Sequence, residues 1–282
     1  MRILRFCYGV AIDAFNRFHT DDGWAIASHI ALSALMSLFP FLIVVTALAG
    51  FIGSKELADE AARILLEAWP TTVAEPISRE IHSVLTTARG GVLTIGVALA
   101  IYFASSGIES LRIGLNRAYG LSEPRHWWLL RLESIGYVLV AAVSLLALAF
   151  LIVLAPLIFA TTVRHAPWLS PLWPVLNFVR FAVTAVVLVT ALFIAHKWLP
   201  SGRRRLGEIA PGMIATMVLW LVAGEVFGRY LADFAYTYVS YYAGLASAMI
   251  ALVFLYLIAS IFIYGAELNT AVTQARKPHK HG

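Results

Sequence analysis

Six stretches of this chain carry no Asp, Glu, Lys or Arg over lengths that suit a bilayer. They are residues 23–54, 90–108, 134–163, 181–195, 209–224 and 243–266. A helix needs about 20 residues to cross a hydrocarbon core, with a range of about 17–25. The two shorter runs, 181–195 and 209–224, become spans once their flanks are included, which leaves Arg180 and Glu225 near the outer ends. Charged residues make up 13% of the chain, against about 25% in soluble domains, too few to cover a globular surface. The pattern predicts an all-α polytopic membrane protein with six transmembrane helices, near residues 30–53, 91–111, 135–160, 176–197, 209–230 and 243–268. Residues 1–272 form a single membrane domain in this reading, and 273–282 a basic cytoplasmic tail.

The order of the charges orients the spans. Taken alternately from the N terminus, the segments between apolar runs hold 14 Lys and Arg on one side and 7 on the other. Basic residues are retained in the cytoplasm, so both termini are expected there. The segment before the first span is basic and apolar but lacks a small-residue cleavage site. It reads as an interfacial helix, with Arg2, Arg5 and Arg17 near headgroups, rather than as a cleaved signal peptide. Residues 55–89, on the outer side, have helical periodicity: Leu57, Ala61, Ile64, Leu65 and Ala68 recur at steps of three and four. Two short amphipathic helices are expected there, forming a hairpin that either packs on the bundle or acts as a lid.

Within the spans, Pro40 is expected to kink the first one, with the Ser37 hydroxyl available to the carbonyl it frees. Ionisable groups in a membrane are functional candidates by default. Glu109, Arg112 and Asn116 form a stripe at the inner end of the second span. Glu225, Arg229 and Asp233 repeat that spacing at the outer end of the fifth. Glu267 and Asn269 close the sixth. Two readings stay open: acid–base pairs that hold helix ends, worth about 0.2–0.5 kcal/mol each in water, or a polar cavity or relay between the second, fifth and sixth spans. Small residues, among them Gly96, Gly107, Gly224, Gly228 and Gly244, favour close helix contact and place those same three spans at the centre. The third, uncharged from Ser134 to Val163, is expected to face lipid.

The chain has one cysteine, Cys7, so an intrachain disulfide is excluded. Its eight histidines form no HExxH, and no GxxxxGK[ST] occurs. No catalytic residue, metal or cofactor is therefore expected, nor an ATPase within the chain. Arg203, Arg204 and Arg205, with Lys277 and Lys280, are expected to contact anionic lipid headgroups at about 1 kcal/mol per charge, rather than nucleic acid.

Longer motifs carry a resemblance. Tyr241–Val272, and within it Gly-Ala-Glu-Leu-Asn at 265–269, resembles the signature of the YihY/BrkB family of bacterial inner-membrane proteins. So do His29–Ile43, with its Ser-Leu-Phe-Pro, then Ile101–Gly120, and the element around Leu199, Pro200, Pro211 and Gly212. The similarity covers roughly residues 20–272. It implies six spans and a multi-pass inner-membrane location. Some members carry a ribonuclease label, which these residues do not support. Others are linked to serum resistance or to export of lipopolysaccharide precursors, and by analogy this points to a lipid or amphiphile transporter. The competing expectation is a non-transporting scaffold that docks envelope proteins. A homo-oligomer stays open in either case.

Overall fold

The computed structural model describes residues 2–52, 90–149, 167–202, 204–242 and 245–276, together with 151, 159, 162 and 163. The segment 55–89 with its expected amphipathic hairpin, Arg203 and the tail from Lys277 lie outside the described residues. Seven α-helices run through the rest: α1 (Arg2–Thr20), α2 (Gly23–Ile52), α3 (Gly90–Ala118), α4 (Trp127–Ala149), α5 (Trp173–Trp198), α6 (Leu206–Tyr242) and α7 (Ala246–Arg276). Four of them, α4 to α7, are long and apolar enough to cross a membrane, and α2 contributes a shorter apolar helix at Gly23–Ser37. At 1.5 Å per residue, the path from Trp173 to Trp198 is about 38 Å, which exceeds a hydrocarbon core of about 30 Å.

Helix α7 is the axis of the bundle. Its buried positions are mostly small, including Ala251, Ala259, Gly265, Ala266 and Ala271, and small residues let helix backbones approach. Helices α2 and α3 pack together on one side of it and α6 on the other, while α1 lies along its last turns. Gly114 of α3 sits where α2 and α7 meet, because a Cβ there would strike Ile26 and Ile263. Val10 and Ala14 of α1 pack against Ala271, and the Tyr264 hydroxyl donates to the Ala11 carbonyl at 3.2 Å. The opposite face of α1 exposes Tyr8, Ile12 and Phe15.

The expected centre is thus corrected in part. The sixth span is central, but α6 buries only a stripe and exposes Ile214, Leu221, Val222 and Val226. Helix α2, which carries the expected first span, takes its place, because Ala27 and Ala31 let it close on α3 and α7. Helices α4 and α5 turn apolar side chains such as Leu139, Val143, Phe178 and Val186 outward. Exposed tryptophans gather at both ends, with Trp24, Trp127, Trp128 and Trp198 at one and Trp168 and Trp173 at the other. Tryptophan favours the headgroup level of a bilayer. Helix α2 continues through Pro40 to Ile52. The Ser37 hydroxyl donates to the Ala34 carbonyl at 2.8 Å, not to the Met36 carbonyl that Pro40 frees.

Candidate functional site

Polar side chains converge at the end of the bundle where α3, α5 and α7 finish and α4 and α6 begin. Helix α3 stops in a Schellman motif. Gly120 adopts φ 63°, its N–H donates to the Arg117 carbonyl at 2.9 Å, and the Leu121 N–H donates to the Asn116 carbonyl at 2.8 Å. A left-handed residue at this position normally requires glycine. The turn sends the chain back under the bundle toward Glu123 and Arg125. Arg125 grips Glu123 through two nitrogens, at 2.7 and 2.8 Å, and reaches Glu133 of α4 at 2.8 Å. Asn116 joins three segments: its amide donates to Glu123 at 3.0 Å and its carbonyl accepts the Ser201 N–H at 2.8 Å. Arg112, 1% exposed, donates to the Leu130 carbonyl at 3.0 Å and the Ser134 hydroxyl at 2.6 Å. Among the described residues its Nε and Nη1 have no partner. Glu133, Glu123 and Glu109 supply the compensating field, without which a buried cation would be costly.

The Arg125 guanidinium holds the Glu123 carboxyl at about 2, well below the usual carboxylate range. A depressed folded-state pKa stabilises the fold above the unfolded value and loses that contribution as pH falls through the folded value. Glu123→Gln is therefore expected to cost about 2 kcal/mol at pH 7 after allowance for partial exposure. Thermal unfolding in detergent from pH 7 to pH 3 should show the gap between variant and parent narrowing below pH 5. A constant gap would mean that the Arg125 pair contributes nothing through charge.

On the other side of Asn116, helix α5 ends at His196-Lys197-Trp198 and passes into a turn in which Gly202 takes φ 83°. His196 is 0% exposed. Its Nδ1 is 3.0 Å from the Tyr119 hydroxyl, and its ring stacks on Phe262 with centroids 4.9 Å apart. The Asn269 amide donates to the Tyr119 oxygen at 3.1 Å, so the phenolic hydrogen is free to go to His196. Burial raises the Tyr119 pKa to about 12, which keeps that hydrogen in place. The imidazole must then carry its own hydrogen on Nε2, and this atom has no partner among the described residues. Arg204 closes the arrangement. Its guanidinium donates to the carbonyls of Ser201, at 3.0 Å, and His196, at 3.4 Å, and lies 3.8 Å from the Tyr119 ring centroid. Asn269 also accepts the Gly212 N–H at 2.6 Å, one residue after Pro211 in the first turns of α6.

Two cavities flank this layer. A polar one of about 280 Å³ is lined by Tyr119, Ser201, Arg204, Glu208, Asn269 and Gln274, among others. An apolar one of about 300 Å³ is walled by α2, α3, α5, α6 and α7, through residues that include Ala31, Leu192, Trp220 and Phe262. Its rim residues Leu188 and Ala191 are exposed on the outer surface of α5. Tyr119 belongs to the polar cavity and Phe262 to the apolar one, and His196 stands between them.

The candidates named from sequence separate into groups. Arg112, Asn116 and Asn269 lie in or beside this network. Glu109 does not pair with Arg112; it meets Arg131 of α4 at 2.9 Å, because Arg112 is drawn inward to Ser134. Glu225 and Arg229 form the expected i,i+4 pair at 2.7 Å, but both are largely exposed and stand midway along α6, away from this network. Neither Glu109 nor Glu225 lines the apolar cavity. Glu267 is 1% exposed and faces Arg17 of α1 and Asp21 of the turn that follows it. His196 and Tyr119 carried no expectation. The available signal was a histidine at the end of an apolar run, with Leu-Pro-Ser-Gly beginning three residues later at Leu199. Among the described residues no three His, Cys, Asp or Glu side chains are grouped to hold a metal ion.

The sequence model of a family described as virulence factor BrkB matches residues 14–282. The chain is 24% identical over 274 residues to a Bacillus subtilis protein named ribonuclease-like protein YfkH, covering 94% of this chain and 95% of that one. It is 26% identical over 263 residues to a UPF0761 membrane protein of Coxiella burnetii, covering 92% and 91%. A UPF0761 membrane protein of Rhodospirillum centenum is 26% identical over 274 residues, which span 95% of this chain and 58% of that protein. No solved structure matches.

Proposed function

Since this chain belongs to the virulence factor BrkB family, a family of membrane proteins, we infer that it is an inner-membrane carrier for a lipid-like or small amphipathic solute, with no ATPase of its own. One observation carries the reading: His196 joins a polar cavity to an apolar one, touching Tyr119 of the first and stacking on Phe262 of the second. An amphiphile has the same two-part chemistry. Its head group finds hydrogen-bonding side chains and a guanidinium, and its chain finds Leu, Ala, Trp and Phe. The exposed rim at Leu188 and Ala191 gives the chain a sideways route from the bilayer.

In this reading α2 and α3 also cross the membrane, giving six spans. Because α3, α5 and α7 end where α4 and α6 begin, both termini then share one side. The excess of Lys and Arg on that side makes it the cytoplasm. The outward apolar face of α1 sits at headgroup level, and Arg204 and Arg205 meet anionic lipid there.

Photolabelling tests the assignment of the two cavities. An alkyl sulfate with a diazirine at the chain end, added to the protein in nanodiscs, is expected to label Leu192, Trp220, Leu255 and Phe262. Labels confined to outward-facing residues such as Val186, Leu139 and Val226 would show an ordinary lipid annulus and overturn the reading.

A further inference from the structure

The charges around the polar cavity are nearly balanced before any ligand enters. Arg204 contributes one positive charge, and Glu208, which accepts the Arg205 N–H at 3.0 Å, contributes one negative. Around His196 the facing groups are few. The end of α3 supplies Tyr119, the turn after α5 supplies Arg204, and α6 supplies Glu208. Helix α7 supplies Asn269 and Phe262, with Glu267 turned toward α1. Lys197 lies over the Phe193 ring instead, 4.9 Å from its centroid. Among the described residues, Arg204 is the charged group that acts on the imidazole.

Tyr119 gives this buried histidine a connection to solvent. It lines the polar cavity, and its hydroxyl lies 3.0 Å from Nδ1, placed to donate to it in the neutral state. Transfer of the hydroxyl hydrogen to Nδ1, with the phenolic oxygen regaining a proton from solvent in the cavity, leaves Tyr119 unchanged and His196 as imidazolium. No other group need change its charge. The cost is a second cation beside Arg204, on a ring that is itself 0% exposed. One negative charge in the cavity removes that cost.

Building on the carrier reading, we propose that the polar cavity binds the head group of a singly charged anionic amphiphile together with one proton, which resides on His196. Either ligand makes the site more favourable for the other, and linkage requires the two effects to be equal. The site takes up its cargo as a neutral pair. Tyr119 is a positioning residue that delivers the proton, and Arg204 contacts the head group.

Octyl sulfate is a suitable probe, since its charge is fixed across the relevant pH range. Its binding to the full-length protein in nanodiscs is measured by calorimetry at pH 5.5 and 8.0, in buffers of different ionisation enthalpy. The parent is expected to bind at least tenfold more tightly at pH 5.5 than at pH 8.0, with uptake of close to one proton per anion at pH 5.5 and little at pH 8.0. His196→Gln should bind with an affinity independent of pH, and Tyr119→Phe should weaken the pH dependence while binding persists. Arg204→Gln should lose binding at both pH values. Absence of octyl sulfate binding by the parent overturns the anionic head-group assignment. A pH-independent affinity in the parent, or an unchanged pH dependence in His196→Gln, overturns the proton coupling and leaves the carrier reading standing. Proton-linked binding without any transport across vesicles would overturn the carrier reading alone.

Discussion

Gly212→Ala is expected to cost about 3 kcal/mol or more, and it tests the junction on which the candidate site is built. At this point α6 and α7 approach so closely that a Cβ on Gly212 would land on the Gly265 carbonyl oxygen and the Asn269 side chain. Backbone cannot rotate away as a flexible side chain can, so the helices must separate. Overpacking alone costs about 1–3 kcal/mol. Separation also breaks the buried bond from the Gly212 N–H to Asn269, and an unsatisfied buried group costs about 1–3 kcal/mol more. Asn269 would in turn release Tyr119, so the defect spreads to the layer between the cavities. Gly224→Ala is the control on the same helix, because a methyl there meets nothing within 4 Å. It should leave stability unchanged or slightly raised, since alanine favours helix over glycine. Thermal unfolding of both variants in detergent makes the comparison. Equal stability for Gly212→Ala and the parent would mean that α6 and α7 do not cross there.

The helical class and the membrane character were legible because they depend on properties a single sequence displays: apolar runs, their length, and where charge interrupts them. That Asn269 and Asn116 would be hydrogen-bonded across the bundle was legible for a related reason. Uncharged polar groups at the ends of apolar helices need partners, whatever those partners are. The partners themselves were not legible. Glu109 and Arg112 stand three apart on one helix and invite pairing, yet each answers to a different residue of α4. Spacing reports neighbours along a helix, whereas α4 reaches this face only through the turn at Gly120. Glu225 is a candidate from sequence because it closes the apolar run 209–224. Helix α6 continues to Tyr242, and the face that carries Glu225 points outward, so its place beside that run did not measure burial. His196 was missed because its role depends on four segments brought together by topology. Tyr119, Arg204, Phe262 and Asn269 are separated by up to 150 residues, and no local pattern links them.

The central claim is that the apolar cavity is part of a route and not a packing defect. Ala195 lines it, half-buried on α5, and a tryptophan in its place would occupy the space an acyl chain needs. Ala195→Trp is therefore expected to reduce transport by at least tenfold without unfolding the bundle. Val186→Trp, the same substitution on the outward face of α5, should leave transport near the parent rate. The deciding measurement is movement of a fluorescent singly charged alkyl amphiphile across proteoliposomes without nucleotide, compared among the parent, Ala195→Trp and Val186→Trp, each shown to be folded. The account predicts protein-dependent movement for the parent and Val186→Trp and its loss in Ala195→Trp. Movement that persists in Ala195→Trp, or a parent no faster than empty vesicles, would contradict it.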